Sequence, residues 1–154
     1  MLIDFMRGLT YAVSIILTAG KDGSPHGATI SSLISVNVDP KNEELLLVLK
    51  RKSHTISIIR ENPLFTVSLL SRNQTEAAKY FSMDRDTLHL HEYLTQSKFE
   101  EKTVYFVQNP AAELVCQFSE SYSRDESFIV IANVLETKIH DLSNVLTYSQ
   151  RTYR

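Results

Sequence analysis

The stretch HGATISSLISVNVDP, residues 26–40, decides how the chain is read. Ala28, Ile30, Ile34, Val36 and Val38 take alternate positions, and Thr29, Ser31, Ser35 and Asn37 make the other face mostly polar, which is the two-residue period of a strand. The pattern predicts one long strand with a core face and a face free to meet a ligand. Ser32 sets a second hydroxyl beside Ser31, and a bend or bulge there would bring both serines to one side.

Working outward, Tyr11 to Ala19 is an apolar, β-branched run that ends in GKDGSPHG, whose Gly20, Asp22-Gly23 and Pro25 punctuate a hairpin into the long strand. The five consecutive apolar residues of ELLLVLK predict a strand at the sheet centre, buried on both faces. Ser53 stands at an N-cap position, and Ile56, Ile59 and the stop at Asn62-Pro63 predict a helix over 53–61. LFTVSLLS reads as a strand, and the Asn73/Glu76 spacing as a capping box for a second short helix from about Gln74. A helix over 87–96 is predicted from weak periodicity. Alternation returns at Ala112, Leu114, Cys116 and Phe118, and the loop SYSRDES leads into the strand FIVIANVLET, a second hairpin. A short element over 142–148 precedes the polar tail SQRTYR. Strands outnumber helices, so the fold class is mainly β, a barrel or sandwich with two or three short peripheral helices.

A chain of 154 residues with 43% hydrophobic content suits a single domain with its own core. A net charge of -2 argues against a nucleic-acid partner. The run AVSIIL is too short to span a bilayer, and MLIDFMRGL lacks a basic leader, so we expect no membrane association and a cytoplasmic location. The single cysteine, Cys116, agrees with a reducing compartment.

Most conventional chemistry is disfavoured. The two histidines of HLHEY would fall on different helix faces with no second ligand pair, so no metal site is assigned. Cys116 sits in an alternating strand with no neighbouring base, as a core residue does. Four glycines form no phosphate-cradling fingerprint. The segment VLKRKSHT is more informative: Lys50, Arg51 and Lys52 end a strand, Ser53 starts a helix and Thr55 lies in its first turn. That combination makes an anion site or, taken alone, a solvated basic turn with an ordinary cap.

The order YAVSIILTAGKDGSPHG, GATISSLISVNVDP, KRKSHT, ENPLFTVSLLSRNQTEAAKYFS, AELVCQFSES and LTYSQRTYR resembles the flavin reductase-like family of FMN-binding split-barrel domains. Ala28, Thr29, Ser31, Ser32, Asp39 and Pro40 match its pattern of a small residue, a Thr, a Ser-Ser pair and a run into Asp-Pro. The resemblance implies a split, Greek-key β-barrel and a homodimer with one FMN per subunit near the interface. Thr29, Ile30, Ser31 and Ser32 would meet the isoalloxazine ring, and Lys50, Arg51, Ser53 and Thr55 the phosphate. Leu70, Ser71, Gln74 and Phe81 match positions that line the flavin, although Leu70 and Phe81 also suit plain core. The implied reaction is hydride transfer from NADH or NADPH to FMN N5, with reduced flavin passed to an accepting partner such as an oxygenase. It assigns no catalytic side chain, since the cofactor carries the chemistry.

Two departures qualify the match. Arg124-Asp125-Glu126 replaces the Gly-Asp-His of many family reductases, so Glu126 stands where a nicotinamide-placing histidine is expected, and its charge would repel a pyrophosphate. The family's Pro-Pro is reduced to Pro40-Lys41, a local turn change. A non-enzymatic FMN-binding electron carrier or redox sensor, or a protein with another flavin, haem or pyridoxine-like ligand, therefore stands beside the reductase.

Overall fold

The computed structural model describes residues 1–83 and 89–154. The chain runs through α1 (Leu2–Arg7), β1 (Tyr11–Ala12), β2 (Ser14–Ala19), β3 (Pro25–Ile30), β4 (Ile34–Asn37), β5 (Glu44–Lys50), α2 (His54–Glu61) and β6 (Leu64–Leu69). It continues through α3 (Thr75–Phe81), α4 (Leu90–Tyr93), β7 (Leu94–Phe99), β8 (Lys102–Val107), β9 (Ala112–Ser123), β10 (Ser127–Ile139), β11 (Thr147–Ser149) and β12 (Thr152–Tyr153). The fold is mainly β, as expected.

The central sheet has seven strands in the order β3-β2-β6-β9-β10-β5-β4, with every neighbouring pair antiparallel. Laid flat, its two edges would be about 29 Å apart at ordinary strand spacing. Yet only Ser31, Ser32 and Leu33 connect one edge strand, β3, to the other, β4, and four Cα steps span at most about 14 Å. The sheet must therefore roll up until its edges meet. Register shifts in the β9–β10 hairpin at Ile131/Ala132 and Val134/Glu136 assist that curvature. Ser32 joins the seam to β5: its Oγ accepts from Val48 N at 2.9 Å and donates to Val48 O at 3.2 Å.

The single long strand expected over 26–40 is thus two strands on opposite edges, broken at the two serines. Its apolar face divides with it. Ile30 is buried, but Ile34, Val36 and Val38 are 58%, 51% and 72% exposed, because past the seam the same alternation points outward. ELLLVLK is not central either. β5 lies second from the edge and alternates, with Leu45, Leu47 and Leu49 inward and Val48 exposed. Burial on both faces belongs to β2 and the middle of β6. Ile16, Leu47, Phe65 and Val130 fill the barrel, while Ile15 and Leu17 pack outside it against Ala78, Phe81, Leu94 and Val107.

That outer layer contains a hairpin absent from the sequence reading. Of the helix expected over 87–96, Thr87 and Leu88 lie outside the described residues, Leu90–Tyr93 is helical, and from Leu94 the chain is β7 paired with β8. The layer also satisfies buried polar groups of β6, since Thr66 donates to Tyr105 O and Ser68 Oγ accepts from Val107 N. The tail read as polar is the β11–β12 hairpin, attached to β1. The loop after Phe118 shrinks to 124–126 because β9 continues to Ser123. Ser53 caps α2 as expected, its hydroxyl accepting from Thr55 N at 3.3 Å. The capping box at Asn73 does not form; Gln74 is the N-cap of α3, and its side chain accepts from Ser71 N and donates to Gln108 O.

Candidate functional site

A cavity of about 960 Å³ opens at the barrel seam. Its walls are residues 25–32 along β3, residues 48–50 and 52–55 from β5 into α2, residues 80–83 at the end of α3, and Val13, Leu90, Tyr148 and Tyr153. Close packing of α3 on β3 shapes one wall: Thr29 Oγ1 donates to Ala78 O at 2.7 Å. Gly27 permits the approach, since a Cβ there would meet Leu17 Cδ2 at 2.6 Å and Phe81 Cδ1 at 3.0 Å.

Of the residues anticipated, Thr29, Ile30, Ser31, Ser32, Lys50, Ser53, Thr55 and Phe81 line this cavity. Their availability differs. Thr29 and Ser32 spend their hydroxyl protons on the protein, whereas among the described residues Ser31 has no partner and is exposed. Phe81 both lines the cavity and joins the outer core. Leu70 is fully buried core. Ser71 donates to Asn109 O at 3.2 Å, so Ser71 and Gln74 fasten the loop ahead of α3 to the loop between β8 and β9 and are absent from the cavity wall.

Arg51 also departs from expectation. Its guanidinium turns onto the β9–β10 turn, donating from Nε to Asp125 O at 2.9 Å and from Nη2 to Ser123 Oγ and Arg124 O. It lies 4.5 Å from the Phe128 ring centroid, and Arg60 lies at the same distance. Strand pairing sets this contact, because Lys50 is opposite Ser127 and the next residue falls beside the turn. Glu126 is exposed, and its backbone carbonyl accepts from Arg51 N at 2.9 Å; it is absent from the cavity wall.

Lys52, His54, His26, Tyr80, Met83, Tyr148 and Tyr153 line the cavity without having been singled out for it. Lys52 lay within the basic motif, Tyr80 in the second predicted helix, Tyr148 at the end of the short element predicted over 142–148, and Tyr153 in the tail judged polar. Lys50 and Lys52 are exposed and have no ion-pair partner among the described residues, and the first turn of α2 has no acidic residue. The positive end of the helix and both ammonium groups are therefore uncompensated, as an anion site requires. Burial pushes the Cys116 thiol up to about 12, leaving it a protonated core residue. His89 Nδ1 faces Glu92 Oε1 at 2.9 Å. Among the described residues no helix is long and apolar enough to cross a membrane.

A rolled sheet with hydroxyls at its seam and a cationic helix start in the same cavity defines a small β-barrel domain whose cavity can take an anionic ligand. A model of the flavin reductase like domain matches residues 6–154, and the chain belongs to that family. It is 40% identical over 70 residues to a flavin reductase (NADPH) of Lentzea aerocolonigenes, a match covering 46% of this chain and 39% of that protein. It is 28% identical over 150 residues to the reductase component of a 4-nitrophenol 4-monooxygenase/4-nitrocatechol 2-monooxygenase of Rhodococcus opacus, covering 94% of this chain and 71% of the relative. The NADH:FAD oxidoreductase of Streptomyces globisporus, solved with NAD and FAD fragments, superposes with a TM-score of 0.85 at 19% identity over 99% of this chain and 89% of that one.

Proposed function

We propose that this chain is an NAD(P)H-dependent flavin reductase that takes FMN, with the ring at Thr29–Ser32 and the phosphate at Lys50, Lys52, Ser53 and Thr55. The observation that carries the reading is the joining of a neutral seam and an uncompensated cationic helix start in one cavity. When bound, flavin supplies the hydride-accepting ring and reduced nicotinamide the hydride. The protein's share is placement. Ser31 and the backbone of β3 orient the ring, the lysines and free N–H groups of α2 hold the anion, and the α3 wall excludes water from one side.

The proposal extends to a homodimer, to one flavin-binding domain over residues 1–154, to a cytoplasmic location and to a flavin-accepting oxygenase as partner. The Rhodococcus relative, a reductase component of a monooxygenase, supports the last. The exposed Ile34 and Val36 on edge strand β4, with Val38 just after it, support pairing with a second copy. The carrier or sensor reading rests on Glu126, which is exposed and lies off the cavity wall. The test is anaerobic: the FMN-loaded protein is mixed with NADH or NADPH and its yellow absorbance followed. Bleaching is expected, and a colour that persists with FMN still bound would favour the carrier.

A further inference from the structure

We infer that Tyr148 and Tyr153 form a shelf of two phenol rings against which the flavin ring stacks. The inference rests on the flavin reading above. Both rings line the cavity, with centroids 4.9 Å apart and planes inclined at 55°. Tyr148, Ser31 and Ser32 also border a groove beneath α1, so the shelf stands beside the seam where the ring is placed. Two inclined rings offer a flat aromatic ligand both a face and an edge, the arrangements aromatic pairs prefer.

The hydroxyls are available. Tyr105 donates to Gly23 O at 2.6 Å and Tyr122 to Glu120 at 2.8 Å, but among the described residues neither Tyr148 nor Tyr153 has a hydrogen-bond partner. Burial, then the neighbouring Tyr148, holds the Tyr153 phenol above its ordinary value and keeps it a neutral donor. The shelf is also held firmly. Tyr148 is opposite Tyr153 across the β11–β12 hairpin and opposite Tyr11 of β1. Thr147 N donates to Arg154 O and Arg154 N to Thr147 O, both at 2.7 Å. The turn uses Gln150 and Arg151 at φ of 48° and 63°, left-handed positions that glycine or asparagine normally takes. A costly turn is thus accepted where it fixes two aromatic rings against an open cavity.

The chain contains no tryptophan, so aromatic quenching of bound flavin fluorescence must come from tyrosine. An excited flavin takes one electron from an adjacent phenol and returns it, with no net reaction but with loss of emission. FMN binding is measured by equilibrium dialysis and emission is read at full occupancy. Wild-type protein should hold FMN dark. The Tyr148→Phe/Tyr153→Phe variant keeps the stacking surface, so it should bind within a few-fold of wild type and recover emission. Tyr80→Phe, altered on another wall of the cavity, should stay dark. Replacing the pair by alanine should weaken FMN by about 2- to 13-fold per ring. Persistent quenching in the double phenylalanine variant, or recovery in Tyr80→Phe instead, would overturn the shelf and leave flavin binding standing. Failure of the wild type to retain FMN would overturn the flavin reading itself.

Discussion

Lys52 and Arg51 are adjacent in sequence and do different work. Lys52 lines the cavity without an ion-pair partner among the described residues, while Arg51 ties the 124–126 turn to the end of β5. A charge-assisted contact to phosphate contributes about 1.5–3 kcal/mol. Lys52→Ala should therefore weaken FMN by about that amount and leave riboflavin, which has no phosphate, nearly unchanged. Arg51→Ala should lower the melting temperature and affect both ligands alike. Equilibrium dialysis with the two ligands separates these outcomes. The basic character of the site was legible in KRKSHT, but the division of labour was not. It depends on the register of Lys50 against Ser127, a partner far along the chain.

Among the elements, the β3–α3 contact is the most sensitive to volume. Gly27→Ala would press a methyl group against Leu17, the Ile16 carbonyl and Phe81, and overpacking of this kind costs about 1–3 kcal/mol. A fall in melting temperature together with weaker FMN binding is expected; unchanged stability would show that the wall yields. The β2–β3 hairpin was legible because Asp22-Gly23 and Pro25 mark it, and Gly23 takes a φ of 81°. The β7–β8 and β11–β12 hairpins were missed for a shared physical reason. Their turns place Glu100, Glu101, Gln150 and Arg151 at positive φ without a glycine, so the usual punctuation is missing. The break between β3 and β4 was legible in part: Ser32 and Leu33 interrupt the alternation and mark a bend, but the bonding of Ser32 to Val48, which sets the two halves on opposite edges, depends on a partner elsewhere in the chain.

For the whole molecule, the rolled sheet leaves β4 at an edge with Ile34 and Val36 exposed, and Val38 exposed just beyond it. If that edge pairs with a second copy, Val36→Asp should shift the protein from dimer to monomer in sedimentation equilibrium, whereas a monomeric wild type would refute the pairing. The barrel class and the ends of the ligand cavity were legible in residues 26–55, because one seam and one helix start lie close together in the chain. The tyrosine wall was not, since residues 148 and 153 reach the cavity through the pairing of β11 with β1 and the bonds of residues 144–146 to Val13, Leu70 and Arg72, all distant in sequence. Whether the protein is a flavin reductase is decided by steady-state oxidation of NADH and NADPH by this chain with FMN, with riboflavin and with no flavin. Oxidation should depend on flavin, with a lower KM for FMN than for riboflavin and a difference that Lys52→Ala narrows. Tight FMN binding with oxidation no faster than in the absence of flavin would contradict the reductase reading.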